Sequence, residues 1–157
     1  MSLTARLWMI LAAAGSAALM LGALAFQHIG GMAPCELCIW QRYPHVAAIA
    51  IGGLAAVKLL PARLLAGLGA VAVLATSGIG AYHTGVERKW WDGPAACSGS
   101  GVSGQSAQDL FAQIMAAPLV RCDTVPWEMF GLSMASWNAL ASLGLAVIWL
   151  IALRKAG

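Results

Sequence analysis

The sequence predicts an all-α integral membrane protein, a bundle of four transmembrane helices with two outer loops. Of its 157 residues, 61% are hydrophobic and 10% are charged, a composition far from that of an ordinary soluble domain. The apolar residues gather into four blocks, at about residues 7–26, 44–60, 64–82 and 137–153. The more polar stretches 27–43 and 83–136 form the loops. We expect a single domain, residues 1–157, because neither stretch looks large enough to have its own core.

The length of each block supports a membrane span. Residues 7–26 carry no charge, and as a helix they are about 30 Å long, roughly the thickness of the hydrocarbon core. The block 44–60 contains one charge, Lys58, whose ammonium can reach the interface. Small residues such as Gly52 and Gly69 would let the helices approach closely. Tryptophans near block ends, Trp149 among them, are expected to anchor the helices at the interface.

The charges predict which side each loop faces. All six acidic residues lie in the two loops. The side with both termini and the 60–63 turn carries five of the nine basic residues and no acid, so we expect cytoplasmic termini in a bacterial inner membrane. The first block is longer than the apolar part of a cleaved signal peptide, which predicts a retained helix. No cluster of basic and aromatic residues indicates nucleic-acid binding.

All four cysteines are expected on the outer, oxidising side. Cys35 and Cys38 form a Cys-x-x-Cys pair in the first loop, and Cys97 and Cys122 make the natural second pair in the long loop. A Cys-x-x-Cys pair closes too small a loop to restrict an unfolded chain much, and it is typical of redox centres. Two structural disulfides and a zinc site built from all four cysteines are the alternatives. We predict redox-active cysteines and no metal.

The position of the Cys-x-x-Cys pair suggests its reaction partners. A dithiol at a membrane surface can exchange electrons with a protein in water and with a lipid-soluble carrier. Arg42 lies four residues after Cys38, where its charge would stabilise a thiolate if the chain is helical there, although Pro44 leaves that open. Arg42 could also polarise a quinone carbonyl. His83, at the outer end of the third block, could donate to a quinone or relay protons.

Other polar residues have weaker claims. Glu36, between the two cysteines, would oppose thiolate formation, and His28 and His45 have less support than His83. In the long loop, the glycine–serine run 98–104 predicts flexible chain. Residues 107–115 place apolar side chains at helical spacing and predict a short interfacial helix.

The chain resembles the DsbB family of quinone-linked membrane disulfide-bond oxidoreductases. The resemblance rests on the Cys35-Glu36-Leu37-Cys38 motif followed by Arg42, on the four apolar blocks, and on the long loop with Cys97 and Cys122. The segment 122–134, before the last block, is also similar to the family.

This resemblance implies a relay of electrons. The Cys97–Cys122 disulfide would oxidise a reduced DsbA-like partner, with Cys97 forming the mixed disulfide. Cys122 would then join Cys35, and Cys38 would face a quinone, ubiquinone or menaquinone, with Arg42 beside its ring. Where family members often have an acidic residue before the arginine, this chain has glutamine, which leaves the detail of the quinone pocket open.

Two other functions compete with this thiol oxidase. One is a non-enzymatic membrane scaffold whose two disulfides brace its loops. The other is an oxidoreductase that works in the reducing direction. That reaction is less favoured because it would need cysteines on the cytoplasmic side, where the sequence places none.

Overall fold

Four long helices form most of this computed structural model, which describes residues 2–94, 108, 115 and 120–157. The helices are α1 (Leu3–His28), α2 (Glu36–Ala56), α3 (Ala62–Glu87) and α4 (Met134–Lys155). A two-stranded antiparallel hairpin, β1 (Glu128–Met129) and β2 (Leu132–Ser133), precedes α4. The predictions for Cys97, for the 98–104 run and for most of 107–115 concern residues outside this description.

The helices pack as a ring in chain order, with α4 closing the ring against both α1 and α3. Contacts between α1 and α3 are few, so these two helices lie diagonally opposite each other. Small side chains make the close approaches: a Cβ added at Gly52 would lie 2.2 Å from the Cβ of Ala13. The bundle core is therefore rich in alanine, with Met9, Leu65 and Val73 filling the larger gaps.

Trp149 is fully buried in this core, and its prediction as an interfacial anchor is wrong. Its ring fits against α3 because Gly69 has no side chain; a Cβ there would lie 2.5 Å from the indole. Position in the sequence placed Trp149 near a block end, but the rotation of α4 turns it toward the bundle interior.

Side-chain caps fix where three of the helices begin. The Oγ of Ser2 accepts a hydrogen bond from the N–H of Ala5 at 3.2 Å. The Oγ of Ser133 accepts one from the N–H of Ser136, also at 3.2 Å. Cys35 caps α2 through its sulfur. Each cap satisfies a backbone donor that has no partner within its own helix.

The outward faces of the bundle are apolar. Leu7 and Leu11 on α1, Leu68 on α3, and Leu143 and Val147 on α4 are all about half exposed or more. A water-soluble bundle carries charged residues at such positions. By length and composition α1, α3 and α4 can each cross a membrane, so the described residues form a helical membrane protein.

Helix α2, unlike the other three, is not apolar enough to be recognised as a membrane span by length and composition. Polar residues, Gln41, Arg42 and His45 among them, occupy its first half. The predicted count of four spans is therefore not established and stays a prediction.

The helix ends also differ from the predicted blocks. Helix α2 begins at Glu36 and ends at Ala56, whereas its block was placed at 44–60. The other three helices extend beyond their blocks at both ends. Hydropathy marks the apolar part of a helix, whereas caps and backbone hydrogen bonds decide where it stops. After α2 the chain turns at Lys58, which has a left-handed φ of 58°, and Pro61 precedes α3.

Candidate thiol–disulfide site

The site lies at one end of the bundle, where α2 and α4 begin and α3 ends. Cys35 caps α2, and its Sγ accepts a hydrogen bond from the N–H of Cys38 at 3.3 Å. The two sulfurs are 2.9 Å apart, and both cysteines are free thiols here. Helix α2 continues through Pro44. Cys38 and Arg42 therefore lie one turn apart on the same helix, the condition under which the sequence predicted that they share a face.

The two thiols differ in acidity. A hydrogen bond from the Cys35 thiol is the main cause that lowers the pKa of Cys38 from an ordinary 9.0 to about 7. The same interaction, together with burial, raises the pKa of Cys35. The charge of Arg42 lowers the pKa of Cys38 less, and the acid that opposes the thiolate is Glu87 of α3, not Glu36. Cys38 therefore carries the negative charge of the reduced pair.

Cys122, in the chain segment before β1, lies close to Cys35. It is fully buried and disulfide-bonded, and its predicted partner, Cys97, lies outside the described residues. The sulfurs of Cys35 and Cys122 and a ring nitrogen of His83 all lie within 4.8 Å of one another. Such a group could hold a metal ion if all its sulfurs were thiolates, but a disulfide sulfur is not a thiolate ligand. The arrangement shown favours exchange between sulfurs.

Ion pairs hold the Cys122 segment in place. Asp123 accepts two hydrogen bonds from Arg121, at 2.8 and 2.7 Å, and a third from Lys89 just after α3. These cations hold the pKa of Asp123 well below its usual range. Cys122, next in the chain to both Arg121 and Asp123, is thereby fixed above the end of α3.

His83 stands between the cysteines of the two segments. Its Nε2 is 3.6 Å from the Sγ of Cys35 and 3.2 Å from the carbonyl oxygen of Cys122. Its Nδ1 lies 3.0 Å from the side-chain nitrogen of Gln41. Because that amide nitrogen can only donate, Nδ1 accepts and the ring hydrogen is on Nε2. His83 therefore presents an N–H to Cys122 and Cys35.

A chain of buried and half-buried polar side chains continues from Gln41 into the bundle. The Oε1 of Gln41 accepts from the amide nitrogen of Asn138 at 2.8 Å, and that nitrogen also donates to the Oγ1 of Thr76 at 3.1 Å. The Oδ1 of Asn138 lies 3.0 Å from the Nε2 of His45. The network joins α2, α3 and α4, and it fixes how the Gln41 and Asn138 amides are oriented.

A cavity of about 310 Å³ has Cys38 in its wall. Its walls come from α1, α2, α4 and the segment before β1, and they are mainly apolar, with the rings of Phe26 and Trp127 5.3 Å apart. Cys38, Gln41, Arg42, His45 and Asn138 are its polar lining residues.

This cavity fits a quinone head group. A quinone ring needs apolar walls and a hydrogen-bond donor for its carbonyls, and the cavity offers both. Arg42 donates through Nη1 to the Oε1 of Gln27 at 2.6 Å, which steadies a guanidinium that has further donors to offer.

The predicted site residues divide between two cavities. Cys38 and Arg42 line the larger one. Cys35 and His83 line a smaller one of about 60 Å³, next to Glu87, and Cys38 borders both. His83 is not among the described residues that line the larger cavity, although the sequence suggested that it contacts a quinone.

Sequence reasoning missed Asn138, Thr76 and Gln27. Asn138 carried a usable signal, because an amide side chain within an otherwise apolar block is costly unless it has an interior partner. Thr76 and Gln27 offered none, since a threonine in a span and a glutamine at a block end are ordinary.

Comparison with known proteins gives a consistent result. The family model described as "Disulfide bond formation protein DsbB" matches residues 5–152. A protein named "Disulfide bond formation protein B" from Polaromonas naphthalenivorans is 31% identical over 90% of this chain and 88% of its own. One of that name from Shewanella sp. (strain ANA-3) is 34% identical over 92% and 83%, and one from Polaromonas sp. (strain JS666) is 28% identical over 88% and 84%. No solved structure matches the chain significantly.

The fold and the site together define a helical membrane protein with a thiol–disulfide centre beside an apolar cavity. The chain belongs to the DsbB family, and the resemblance seen in the sequence is confirmed.

Proposed function

We propose that this protein is a thiol oxidase that reoxidises a DsbA-like dithiol protein and passes the electrons to a membrane quinone. The observation that carries the proposal is the position of Cys38, which borders both the cysteine cluster and the apolar cavity. Its relatives are named for disulfide bond formation, which supports oxidoreductase activity on thiols.

The proposed relay begins with two exchanges between sulfurs. A thiolate of the partner attacks Cys97, which breaks the Cys97–Cys122 bond and releases Cys122 as a thiolate. Cys122 then attacks Cys35 in an oxidised Cys35–Cys38 pair, so that a Cys35–Cys122 bond forms and Cys38 leaves as a thiolate. The short distance between the Cys35 and Cys122 sulfurs supports this second step. A thiol with a pKa of about 7 is also a good leaving group.

Afterwards the second thiol of the partner displaces Cys97 and closes the partner's disulfide. Cys97 then re-forms its bond to Cys122 by displacing Cys35, and Cys35 and Cys38 give two electrons to the quinone as they close their own disulfide.

In this proposal, His83 assists the attack of Cys122 on Cys35. Its Nε2–H faces Cys35 and the carbonyl of Cys122, where it stabilises negative charge as it moves from one sulfur to the next. Gln41 holds the ring in the tautomer that keeps this hydrogen on Nε2.

In the proposed reaction, the larger cavity holds the quinone, which is either ubiquinone or menaquinone. When bound, the quinone supplies an acceptor for two electrons and two protons. Cys38 lies at the cavity wall as the electron donor, Arg42 provides a permanent cationic hydrogen-bond donor, and Phe26 and Trp127 provide apolar walls that exclude water.

The membrane arrangement is also part of the proposal. Residues 44–60 of the chain, most of them in α2, form a further membrane span, and its His45 is tolerated because it is buried in the bundle. Both termini are cytoplasmic and all cysteines periplasmic, in a bacterial inner membrane.

The test is steady-state reduction of a soluble quinone analogue by purified protein supplied with a reduced DsbA-like dithiol. We expect turnover by the wild type and by Ser77→Ala, which alters an α3 hydroxyl bonded to the backbone of α4. Cys38→Ala should abolish turnover. Equal turnover with Cys38→Ala, or none from folded wild type, would overturn the proposal, and the second result would favour a scaffold.

A further inference from the structure

We propose that Glu87 is the base that takes the proton of the Cys35 thiol when Cys35 and Cys38 close their disulfide. This inference rests on the proposed function and deepens it, because a relay that oxidises thiols has to move protons as well as electrons. Glu87 and both cysteines line the smaller cavity, of about 60 Å³.

Closure of the disulfide requires a proton to leave Cys35. In the reduced pair the Cys35 thiol donates a hydrogen bond to the Cys38 sulfur, 2.9 Å away, so Cys38 is the thiolate and Cys35 keeps its hydrogen. When the Cys35 sulfur attacks the Cys38 sulfur, an S–S bond forms and two electrons pass to the acceptor at Cys38. The hydrogen of Cys35 must go to a base, and a base held close to the thiol speeds this transfer.

The nearest nitrogen base, His83, cannot accept this proton at the atom that faces Cys35. Its Nε2 lies 3.6 Å from the Cys35 sulfur and carries the ring hydrogen, and its Nδ1 already accepts a hydrogen bond from Gln41. Arg121, also in the cavity wall, is a cation with no acceptor. Among the described residues that line this cavity, Glu87 is the one carboxylate.

Hydrogen bonds leave one oxygen of Glu87 free to take the proton. The side chain is only 3% exposed, and its Oε2 accepts a hydrogen bond from the hydroxyl of Ser133. The Ser133 oxygen itself accepts from the N–H of Ser136 at 3.2 Å. The other carboxylate oxygen, Oε1, lies 3.8 Å from the Nε2 of His83, the same nitrogen that faces Cys35. The Cys35 sulfur and the free oxygen of Glu87 therefore lie around one ring nitrogen.

The smaller cavity provides a path for the proton. Its volume of about 60 Å³ has room for at least one water molecule, through which a proton can pass from Cys35 to Glu87. Glu87 is the last residue of α3 and precedes the exposed Arg88, so the proton can return from there to water. The charged or titratable groups around Glu87 are Cys35, Cys38, His83, Arg88 and Arg121. The two arginines favour the carboxylate, the form that can accept a proton.

The test separates the two sulfur reactions by using a small disulfide reagent in place of quinone and partner. Reduced Cys97→Ala/Cys122→Ala protein is mixed with dipyridyl disulfide, whose aromatic rings suit the apolar cavity beside Cys38. Cys38 attacks the reagent and releases one thiopyridone. Cys35 then attacks the Cys38 sulfur, releases the second thiopyridone and gives its proton to Glu87. Stopped-flow absorbance of thiopyridone follows both releases.

Glu87→Gln, in the same protein, should slow the second release about a hundredfold, a typical contribution of a general base. The first release should be unchanged or faster, because the charge of Glu87 opposes the Cys38 thiolate. Glu87→Asp keeps a carboxylate and should restore much of the second rate. Glu36→Gln is the matched control: Glu36 follows Cys35 in the chain but is not among the described residues that line the smaller cavity, so both releases should keep their rates.

The pH dependence keeps the inference testable if Glu87→Gln fails to fold. With Glu87 present, the rate of the second release should level off once the carboxyl group is ionised, whereas hydroxide acting as the base would raise it about tenfold per pH unit throughout. A rise without a plateau, an unchanged second release in Glu87→Gln, or equal slowing of both releases would overturn the inference and leave the oxidase intact. Release of only one thiopyridone with Glu87 present would show that Cys35 does not close onto Cys38, and would overturn the proposed function itself.

Discussion

Replacing Cys35 by alanine should raise the pKa of Cys38, whereas replacing it by serine should keep that pKa low. The structure assigns the low pKa of Cys38 mainly to a hydrogen bond from the Cys35 thiol, with a smaller contribution from Arg42. Alanine removes the donor. Serine retains a hydroxyl that can donate to the Cys38 thiolate.

The expected size follows from the energy of the lost bond. A fall in pKa from 9.0 to about 7 favours the thiolate by about 2.7 kcal/mol. A hydrogen bond to a charged group contributes about 1.5–3 kcal/mol, and burial of Cys38 opposes the thiolate in both variants. The pKa of Cys38 in Cys35→Ala should therefore rise to about 8 or 9.

The assay is the rate of alkylation of Cys38 by iodoacetamide as a function of pH, followed by mass spectrometry. Both variants leave Cys38 as the sole free thiol as long as the disulfide of Cys122 is intact, so the reagent reports one group. The rate rises as pH passes through the thiolate pKa, and the midpoint should be higher for Cys35→Ala than for Cys35→Ser.

Identical midpoints near 7 in the two variants would refute this reasoning, because the hydrogen bond from Cys35 would then have no part in the acidity. Identical high midpoints would show that serine cannot replace the thiol donor, and would refute the explanation based on a simple hydrogen bond.

Three further predictions concern packing, loop docking and ligand binding. Gly69→Ala should destabilise the bundle by about 1–3 kcal/mol, since its Cβ would lie 2.5 Å from the Trp149 ring; thermal unfolding in detergent measures this, and Gly67→Ala, with nothing within 4 Å, should change stability little. The depressed pKa of Asp123 means that its stabilisation is complete above the ordinary carboxyl pKa and is lost only as pH falls through the lower folded value. Hydrogen exchange of residues 120–124 should therefore stay slow in mild acid, and Asp123→Asn should speed it at neutral pH; unchanged exchange would contradict the ion pairs. Arg42→Met should weaken quinone binding about tenfold by fluorescence titration, because it removes a charged hydrogen-bond donor, and unaltered affinity would place the quinone elsewhere.

Much of the Cys35–Cys38 site was predictable from sequence because its geometry is local. Cys35 and Cys38 are three residues apart, so their pairing needs no tertiary information. The spacing of Cys38 and Arg42 predicted a shared helix face if the chain is helical there, and the continuous helix α2 provides that helix. The apolar blocks predicted the long helices for the same reason, since hydropathy is a local property.

The parts that were not predictable depend on how distant segments pack. Gln41 and Asn138 are 97 positions apart, and nothing local indicates that their amides meet. His83 appeared to be a quinone contact because it ends the third block, yet the rotation of α3 turns it to Cys35 and Cys122. His45 had a weak claim in the sequence, and only the packed structure shows that it is buried beside Asn138.

In the proposed reaction, Cys35 and Cys38 are the pair that reduces the quinone. The most direct measurement uses Cys97→Ala/Cys122→Ala protein, fully reduced and mixed with a soluble quinone analogue without oxygen or partner. We expect an equimolar amount of quinone to be reduced while Cys35 and Cys38 become a disulfide. Thiols that stay reduced while the quinone is bound would show that this pair is not the electron donor.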